Sequence, residues 1–472
     1  MRLDPRAFPR EAERAVADTE LRRAVHRATT RFTASRRLAM AEIPEGEALR
    51  DRAAQVRKHV LEHLDHYLES FERAATAAGA QVHWAPDARE ACRIIARLCR
   101  AAGAALAVKS KSMTSEEIGL NRALAEAGVE PLETDLGEFI VQLAGQTPSH
   151  IVAPAIHLTR GDVADLFEKR LGVGRLERIE DLALAARRVL RDRFARATVG
   201  ITGANFLVAE TGTIAIVENE GNARLATTLP RVHVALAGIE KVIPALADLQ
   251  VLLNVLPRAA TGQRMSSYVN LITGPRREGE LDGPDEVHVV LLDNGRSGIL
   301  ADLELRETLQ CIRCGACLNA CPVYRSVGGH AYGTVYSGPI GAIIEPQYQG
   351  LAAGQHLPFA SSLCGACAEV CPVRIDIPRH LVTLRARLAP RRLGPLRPFG
   401  PLALKAWALA MRSRRAYEFV SAALRLLLRP LARRGWIARA PGRLAAWTRN
   451  REFPAPGRRT FLEQWRRGVE ER

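Results

Sequence analysis

The stretch CIRCGACLNACPV at positions 311–323 decides the fold, and it recurs in shortened form as SSLCGACAEVCPV at positions 361–373. The first copy has the spacing C-x2-C-x2-C-x3-C followed by proline, which bacterial proteins use to ligate iron–sulfur clusters. The second copy keeps three cysteines, and Ser361 stands where the first copy has Cys311. The repeat therefore predicts two iron–sulfur clusters bound by cysteine thiolates.

Each copy supplies ligands to both clusters, because the last cysteine of such a motif turns away and binds the neighbouring cluster. Cluster one is assigned to Cys311, Cys314, Cys317 and Cys371, and cluster two to Cys321, Cys364 and Cys367. The fourth position of cluster two stays open at this stage. Either Ser361 or Ser362 supplies an oxygen, water or a partner fills the position, or the cluster is a three-iron [3Fe–4S] form.

Disulfides and structural zinc are the two other uses of such cysteines. Disulfides are not expected, because the N-terminus MRLDPRAFPREAER is charged and lacks the apolar core of a secretion signal. Zinc sites take four ligands, commonly as two pairs, and the seven cysteines of this repeat do not divide in that way. Cys92 and Cys99 lie elsewhere, in an apolar helical pattern that predicts buried free thiols.

The composition is that of a basic globular protein, with 67 Lys and Arg against 51 Asp and Glu and a net charge of +16. A basic balance suits nucleic acid, an anionic membrane surface or an acidic partner. We find no nucleic-acid-binding motif, so nucleic acid is not an expected partner. No uncharged apolar run reaches the roughly 18 residues of a membrane-spanning helix. The expected location is therefore the cytoplasm, with peripheral membrane contact as an open alternative.

The first of four predicted regions, residues 1–80, is expected to be helical. Its apolar residues recur at helical spacing, as the run Val56, Val60, Leu64, Leu68 and Phe71 shows. His59 and His63 lie one turn apart in the same segment, a spacing that can bind a metal ion. A solvated, charged helix face is the expected role of this pair.

The second region, residues 81–300, alternates short apolar strands with helices, which predicts an α/β domain around a largely parallel sheet. The predicted strands are QVHWA, AALAVKS, EPLETDL, SHIVAPA, VHVALAG, YVNLITG and VHVVLLD. The segments DAREACRIIARLCRAAG and SEEIGLNRALAEAG are predicted helices. Ligands of such sheets bind beyond the carboxyl ends of the strands. No G-x-G-x-x-G fingerprint of a dinucleotide site follows a strand.

Basic residues near two loops of this domain are candidate anion contacts. Lys109 and Lys111 stand beside a predicted helix start, with Thr114 as its N-cap and Glu117 as its capping-box partner. The free N–H groups of a helix start favour a carboxylate or phosphate, although a plain capped turn is an equal alternative. Arg224 follows a predicted β-hairpin that is rich in polar residues, so a polar cleft is expected there.

The third region, residues 301–385, is the predicted cluster domain. The segment between its two cysteine motifs is rich in glycine, proline and tyrosine. In it, His330, Tyr332 and Tyr336 are candidates to pack near a cluster and tune its potential. Ordinary loop packing is the alternative for all three.

The last region, residues 386–472, is basic and is predicted to form short helices. Leu404, Trp407 and Met411 share one helical face, and lysine and arginine surround it. Because charge surrounds the apolar stripe, packing against protein is favoured over a membrane-surface helix.

Longer stretches resemble a known family, the lactate utilisation protein B family of iron–sulfur proteins. These stretches are KSKSMTSEEIGLN, ETDLGEFIVQLAGQTPSHIVAPAIH, GITGANFLVAETGTIAIVENEGNARLATTLPRVHVALAGIEKV and GHAYGTVYSGPIGA, besides the cysteine motifs. A second motif with three cysteines is similar to the family's own pattern. The resemblance implies a Rossmann-like LUD domain of the α/β class, then a ferredoxin-type domain with two 4Fe–4S clusters, then a short helical tail.

The same resemblance implies electron transfer through these clusters during the oxidation of L-lactate to pyruvate. It also implies partner subunits similar to lactate utilisation proteins A and C. Lys109, Lys111 and Arg224 are the expected contacts of a small carboxylate such as L-lactate or pyruvate. Whether the chain is itself an enzyme stays open. Two alternatives remain at this stage: an iron–sulfur subunit for another 2-hydroxy acid, and a non-enzymatic iron–sulfur sensor or regulator.

Overall fold

The computed structural model describes residues 3–392, 400–440, 445, 448, 451–466 and 468. The chain divides into two compact units, Met1–Leu388 and Ala389–Arg472. The first unit contains the N-terminal helices, the α/β domain and both cysteine motifs. These three parts of the sequence therefore pack as one body.

A six-stranded sheet lies at the centre of the first unit. Its strands are β1 (Gln81–Ala85), β2 (Leu106–Lys109), β3 (Glu130–Glu133), β4 (Val199–Gly203), β7 (Val232–Gly238) and β10 (Glu286–Leu292). They lie in the order β1-β10-β7-β4-β2-β3, and every neighbouring pair is parallel. The predicted α/β fold with a largely parallel sheet is confirmed.

The central strands are apolar on both faces, because helices cover both sides of a parallel sheet. All seven residues of β7 are buried, as are six of the seven in β10. On one face the strands pack against an apolar cluster that includes Phe71 and Ala75. On the other face they pack against a cluster that includes Ile95 and Leu120.

A second sheet has four short strands. They are β5 (Phe206–Val208), β6 (Thr213–Glu218), β8 (Val242–Ile243) and β9 (Tyr268–Ile272), in the order β8-β5-β6-β9. The predicted hairpin is the antiparallel pair of β5 and β6. The predicted strand YVNLITG contains β9, which pairs antiparallel with β6 in this second sheet.

The predicted strand SHIVAPA is wrong, because residues 149–155 form bends and turns. The imidazole Nδ1 of His150 accepts hydrogen bonds from the backbone N–H groups of Val152 and Ala153, at 3.0 and 3.1 Å. The Ser149 N–H bonds to the Pro154 carbonyl at 3.0 Å. These local bonds take the place of strand pairing, although the segment is apolar enough to predict a strand.

Helices precede, connect and follow the strands of the first unit. They are α1 (Ala7–Ala17), α2 (Thr19–Ala41), α3 (Gly46–Glu62), α4 (Leu64–Ala77), α5 (Ala88–Ala101), α6 (Met113–Glu117), α7 (Leu120–Glu126), α8 (Leu136–Leu143), α9 (Arg160–Leu171), α10 (Ile179–Arg196), α11 (Asn222–Thr228), α12 (Leu246–Ala260), α13 (Arg296–Ala301), α14 (Ala316–Ala320), α15 (Pro322–Val327), α16 (Gly338–Tyr348), α17 (Ala366–Val370) and α18 (Ile377–Arg392). The predicted helical N-terminal region is confirmed as α1–α4.

The predicted single helix after β2 is two helices, α6 and α7. Gly119 separates them with a left-handed backbone, φ +66°. The N-cap of α6 is Ser112, whose hydroxyl accepts the Ser115 N–H at 3.3 Å, so the prediction of Thr114 as the cap is wrong. Glu117 ends this helix and makes a buried ion pair instead of a capping box.

The N-terminal helices pack against the cysteine motifs and bond to their backbone. Arg50 of α3 is 4 % exposed, and its Nη2 donates to the carbonyl of Cys371 at 2.8 Å. Arg36 of α2 donates to the Val370 carbonyl at 2.9 Å. These arginines satisfy carbonyl groups that the short helices of the motif leave free. The first region of the sequence therefore completes the wall around the predicted cluster domain.

The second unit contains α19 (Gly400–Met411), α20 (Arg414–Leu428), α21 (Phe461–Arg466) and the antiparallel strand pair β11 (Trp436–Ile437) and β12 (Phe453–Pro454). The helical character predicted for this region is confirmed, and the strand pair was not predicted. Trp407 and Met411 are exposed, whereas the side chain of Leu404 lies outside the described residues. Within the described parts of both units, no helix is both long and apolar enough to span a bilayer.

Candidate iron–sulfur centre and adjoining cavity

The two cysteine motifs have the same local backbone structure. In each motif a left-handed residue lies immediately before a cysteine: Arg313 with φ 60° and Leu363 with φ 55°. A glycine then precedes a five-residue helix, Gly315 before α14 and Gly365 before α17, with φ of 74° and 87°. Glycine adopts this conformation without steric penalty. The helices α14 and α17 pack against each other, so the sequence repeat is also a structural repeat.

Four cysteines line one buried cavity between the motifs, namely Cys311, Cys314, Cys317 and Cys371. These are the four residues assigned to cluster one. The remaining wall is mostly isoleucine, valine and proline, and Arg313 is its charged member. The backbone N–H groups of Arg313 and Ile375 donate to the sulfurs of Cys311 and Cys371, each at 3.4 Å. Such bonds favour a thiolate over a neutral thiol.

The other three cysteines, Cys321, Cys364 and Cys367, form the second group. Burial, and then the charge of Cys321, raises the pKa of the Cys367 thiol to about 12. Cys364 is exposed, and hydrogen bonds from the Ala366 backbone and the Ser362 side chain lower the pKa of its thiol. The Ser361 hydroxyl accepts the Leu363 N–H at 3.1 Å. Both candidate serines therefore lie within the motif, with Ser362 bonded to Cys364.

The residues fit an iron–sulfur group. Burial raises the pKa of Cys314 to about 12 and that of Cys371 to about 11, so their thiolates need a positive centre such as iron. Within the described residues the Tyr332 hydroxyl is buried without a hydrogen-bond partner. Its pKa is raised by burial and then by the charges of Cys321, Tyr324 and Cys317, so this spare donor lies within reach of the charges of the cysteine motif. In the same part of the chain, no three His, Cys, Asp or Glu side chains converge as the ligands of a single metal ion do.

A second cavity adjoins the cluster-one cavity and shares Arg313 and Ile151 with it. Its volume is about 300 Å³. Its walls include Lys111 after β2, Asp135 after β3 and Lys241 after β7. The cavity therefore lies at the carboxyl ends of the parallel strands, where ligands of such sheets bind.

Three cationic side chains line this second cavity: Lys111, Lys241 and Arg313. Lys241 is 7 % exposed, and burial lowers the pKa of its ammonium to about 8. The Arg313 guanidinium lies over the Tyr336 ring at 4.5 Å from the centroid. Tyr336 thus lines the second cavity and contacts the arginine that both cavities share. Sequence reasoning missed Lys241 and Arg313, because only the fold brings them to Lys111.

The prediction of an anion site at Lys109 is wrong. Lys109 is 1 % exposed, and its ammonium bonds to Glu133 at 2.5 Å and also to Asn121. It is the last residue of β2 and is buried in the core, whereas Lys111 lies two residues beyond the end of the strand and lines the cavity. Arg224 is exposed on α11 and lines a different cavity, so the structure does not bring it together with Lys111.

A buried network of ion pairs includes Arg313, which also lines the second cavity. The sequence did not predict this network. The Arg296 side chain is fully buried and bonds to Glu240 at 2.5 Å and to Glu117 at 2.9 Å. Arg313 is 3.7 Å from the other oxygen of Glu240. Glu117 also accepts the Tyr336 hydroxyl at 2.8 Å. This network connects α6 and α13 to the first cysteine motif.

The remaining predicted residues lie away from both cavities. Cys99 is buried and Cys92 is half-buried, and burial raises the pKa of each thiol to about 11. His59 and His63 are exposed, with their rings 4.6 Å apart. His330 is exposed, and its Nε2 is 2.7 Å from a backbone carbonyl oxygen. Ordinary loop packing therefore accounts for His330.

Comparison with known proteins matches two domain families to this chain. The LUD domain matches residues 68–292, and the 4Fe-4S dicluster domain matches residues 307–375. All seven motif cysteines lie within the second range. Most residues of the two cavity walls lie within one range or the other.

Several named proteins are similar to this chain over almost its whole length. Lactate utilization protein B of Bacillus licheniformis is 42% identical over 464 residues, which cover 98% of this chain and 97% of that protein. The protein of that name from Geobacillus sp. (strain WCH70) is 43% identical over 468 residues, covering 99% and 98%. The one from Bacillus subtilis (strain 168) is 42% identical over 464 residues, covering 98% and 96%.

Proposed function

The chain belongs to the lactate utilization protein B family of iron–sulfur proteins, and on that premise we propose that it transfers electrons in a complex that oxidises L-lactate to pyruvate. The oxidation releases two electrons. Two 4Fe–4S clusters, when bound, supply one-electron redox chemistry. The chain's own residues hold the clusters, exclude water from cluster one and connect it to the cavity at the carboxyl edge of the sheet. Partner subunits similar to lactate utilisation proteins A and C complete the proposed complex.

The observation that carries the proposal is the interleaving of the two motifs. Cys371 of the second motif joins three cysteines of the first around one apolar cavity. Cys321 of the first motif lies with two cysteines of the second. Each motif thus contributes one cysteine to the group of the other motif. Two clusters bound in this way lie close together, as electron transfer between them requires.

Metal analysis of anaerobically purified protein tests the proposal. We expect about eight irons and eight sulfides per chain, with electron paramagnetic resonance signals in the reduced state, for two four-iron clusters. A non-cysteine ligand such as Ser361 or Ser362 then completes cluster two. About seven irons with a signal in the oxidised state indicate a three-iron cluster two. Zinc in place of iron contradicts the proposal.

Tyr332→Phe tests whether the buried hydroxyl beside Cys321 acts on a cluster. A hydrogen bond to a cluster sulfur stabilises the reduced, more negative state. Its net worth is about 1 kcal/mol, so we expect the variant to lower one reduction potential by roughly 40 mV for a one-electron step. Redox titration followed by electron paramagnetic resonance measures this shift.

The matched control for that variant is Tyr324→Phe. Its hydroxyl is equally buried but already bonds to the Ser149 carbonyl at 2.7 Å, so the potentials stay unchanged. Iron content stays unchanged in both variants. Equal potentials in Tyr332→Phe and the unmodified protein show that the tyrosine serves packing alone.

A further inference from the structure

We propose that the second cavity binds a small 2-oxo or 2-hydroxy monocarboxylate, whose carboxylate is held by Lys241 and Arg313. The identity of the ligand class rests on the proposed function, whereas the presence of an anion site rests on the cavity alone. A volume of about 300 Å³ is at the lower end of the range of small-molecule sites. The site adjoins the cluster-one cavity, because Arg313 lines both.

Lys241 is the first of the two cations that no acidic side chain of the cavity wall neutralises. It is 7 % exposed and lines the second cavity but not the cluster-one cavity. Within the described residues no hydrogen bond or ion pair fixes its ammonium. Burial lowers the pKa of Lys241 to about 8 although the charge of Glu240 opposes that shift, so the charged ammonium is costly in this position. A carboxylate in the cavity supplies a direct hydrogen-bond partner.

Arg313 is the second cation, and one of its nitrogens is free. Its side chain is 9 % exposed, and its Nη2 is 3.2 Å from the Tyr348 hydroxyl and 3.7 Å from Glu240. Its Nη1 is buried without a hydrogen-bond partner in the described part of the chain. The Tyr336 ring holds the guanidinium plane in place. The fixed plane and the free donor suit a planar carboxylate better than a spherical ion.

The acidic side chains of the same cavity already have partners. Glu218 accepts backbone N–H groups of Ala223 and Arg224, each at 2.8 Å. Asp135 caps α8, and Glu220 accepts the Leu136 N–H at 2.9 Å. They therefore do not neutralise Lys241 and Arg313. The positive charge of the cavity is concentrated where it meets the cluster-one cavity.

A second role for the same cations is to balance a cluster, because thiolate-ligated clusters are commonly anionic. That role suits Arg57, which is fully buried and donates to the carbonyls of Val242 and Gln310 at 3.1 and 3.3 Å. Lys241 differs from Arg57 because it lines the second cavity, whereas Arg57 does not. The two roles predict different effects of replacing Lys241, so one experiment separates them.

The test is isothermal titration calorimetry of the cluster-loaded full chain under anaerobic conditions. The probes are L-lactate, pyruvate, acetate and inorganic phosphate. We expect L-lactate or pyruvate to bind, and phosphate and acetate to bind more weakly. Lys241→Gln should weaken that binding about 10- to 100-fold, as expected for the loss of a charged hydrogen bond. Arg224→Gln, which removes an exposed arginine outside the cavity, should leave it unchanged.

Several outcomes overturn the site. They are no binding of either acid to the unmodified protein, equal binding by Lys241→Gln, and tighter binding of phosphate than of both acids. A Lys241→Gln variant that changes only the cluster potentials assigns the cation to charge balance instead. If that variant does not fold, Lys241→Met replaces it, and unchanged binding there also contradicts the proposal. Iron content and electron paramagnetic resonance signals, measured on each sample, show separately whether the proposed electron-transfer function stands.

Discussion

Cys314→Ala is expected to remove cluster one and about half of the iron, from about eight to about four atoms per chain. Cys314 is 7 % exposed and lines the cavity with the three other assigned ligands. No carboxylate or imidazole among the described residues lines that cavity to replace it. The remaining three cysteines then hold at most an incomplete cluster. Electron transfer from lactate to an acceptor through the reconstituted complex is expected to be lost with it.

The matched control is Cys92→Ala, which removes a thiol of the same type from α5. Cys92 is half-buried and lies among the residues that pack against a core cluster of the α/β sheet. Its iron content and turnover should equal those of the unmodified protein. Iron analysis, visible absorption and lactate-dependent acceptor reduction measure both variants. Full iron content or full turnover in Cys314→Ala contradicts the assignment of this cysteine to cluster one.

Local patterns predicted those parts of the molecule that depend on nearby residues. The parallel strands β7 and β10 were predicted because each is a short apolar run that is buried on both faces. The grouping of Cys371 with Cys311 followed from the motif, since the cysteine before proline turns away from its own copy. These features are fixed by spacing of a few residues, which is visible in the sequence.

Features that depend on distant contacts could not be predicted. Lys109 and Lys111 look alike in the sequence, but Lys109 is the last residue of β2 and pairs with Glu133 in the core, whereas Lys111 lies beyond the end of the strand and lines the cavity. Lys241 and Arg313 meet only because the cysteine motif folds onto the carboxyl edge of the sheet. No local pattern marks either residue as a ligand contact.

The arginines of the N-terminal helices show the same limit. Arg50 and Arg57 lie in a helix whose charged residues predict a solvated face, yet they are 4 % and 1 % exposed. Arg50 bonds to the backbone of the second cysteine motif and Arg57 to the residue before the first motif, and these hydrogen bonds explain the burial. A buried arginine can be recognised from sequence only when its carbonyl partners are known, and these lie 183 to 321 positions away.

Arg296→Met is expected to lower the free energy of unfolding by about 3–5 kcal/mol at pH 7, as measured for a buried ion pair that loses one partner. Its guanidinium bonds to two buried carboxylates, Glu117 and Glu240, which no other cation can fully replace because Arg313 is 3.7 Å from Glu240. Burial alone raises the pKa of Glu240, but Arg296, followed by Lys241 and Arg313, holds it at about 2. Methionine has similar volume and restores none of this charge.

The pH dependence of this effect has a definite sign. The pKa of Glu240 is about 2 in the folded chain against an ordinary value of 4.5. Its contribution to stability is therefore complete above about pH 4.5 and is lost as the pH falls towards 2. Without Arg296, burial raises the pKa of both carboxyl groups. The free energy of unfolding of the variant is therefore higher at pH 4, where these groups are closer to neutral, than at pH 7. The difference between variant and unmodified protein should shrink as the pH falls from 7 to 4.

Urea unfolding at pH 7 and pH 4, followed by circular dichroism and by hydrogen exchange in β7 and β10, measures both effects. Arg264→Met is the matched control, because Arg264 makes an exposed ion pair with Glu42 at 2.7 Å. An exposed pair contributes about 0–1 kcal/mol, so this variant should unfold almost as the unmodified protein does. Equal stability of the Arg296 and Arg264 variants means that water or a rearranged Arg313 neutralises the two glutamates. The network would then not be what connects the α/β sheet to the first cysteine motif.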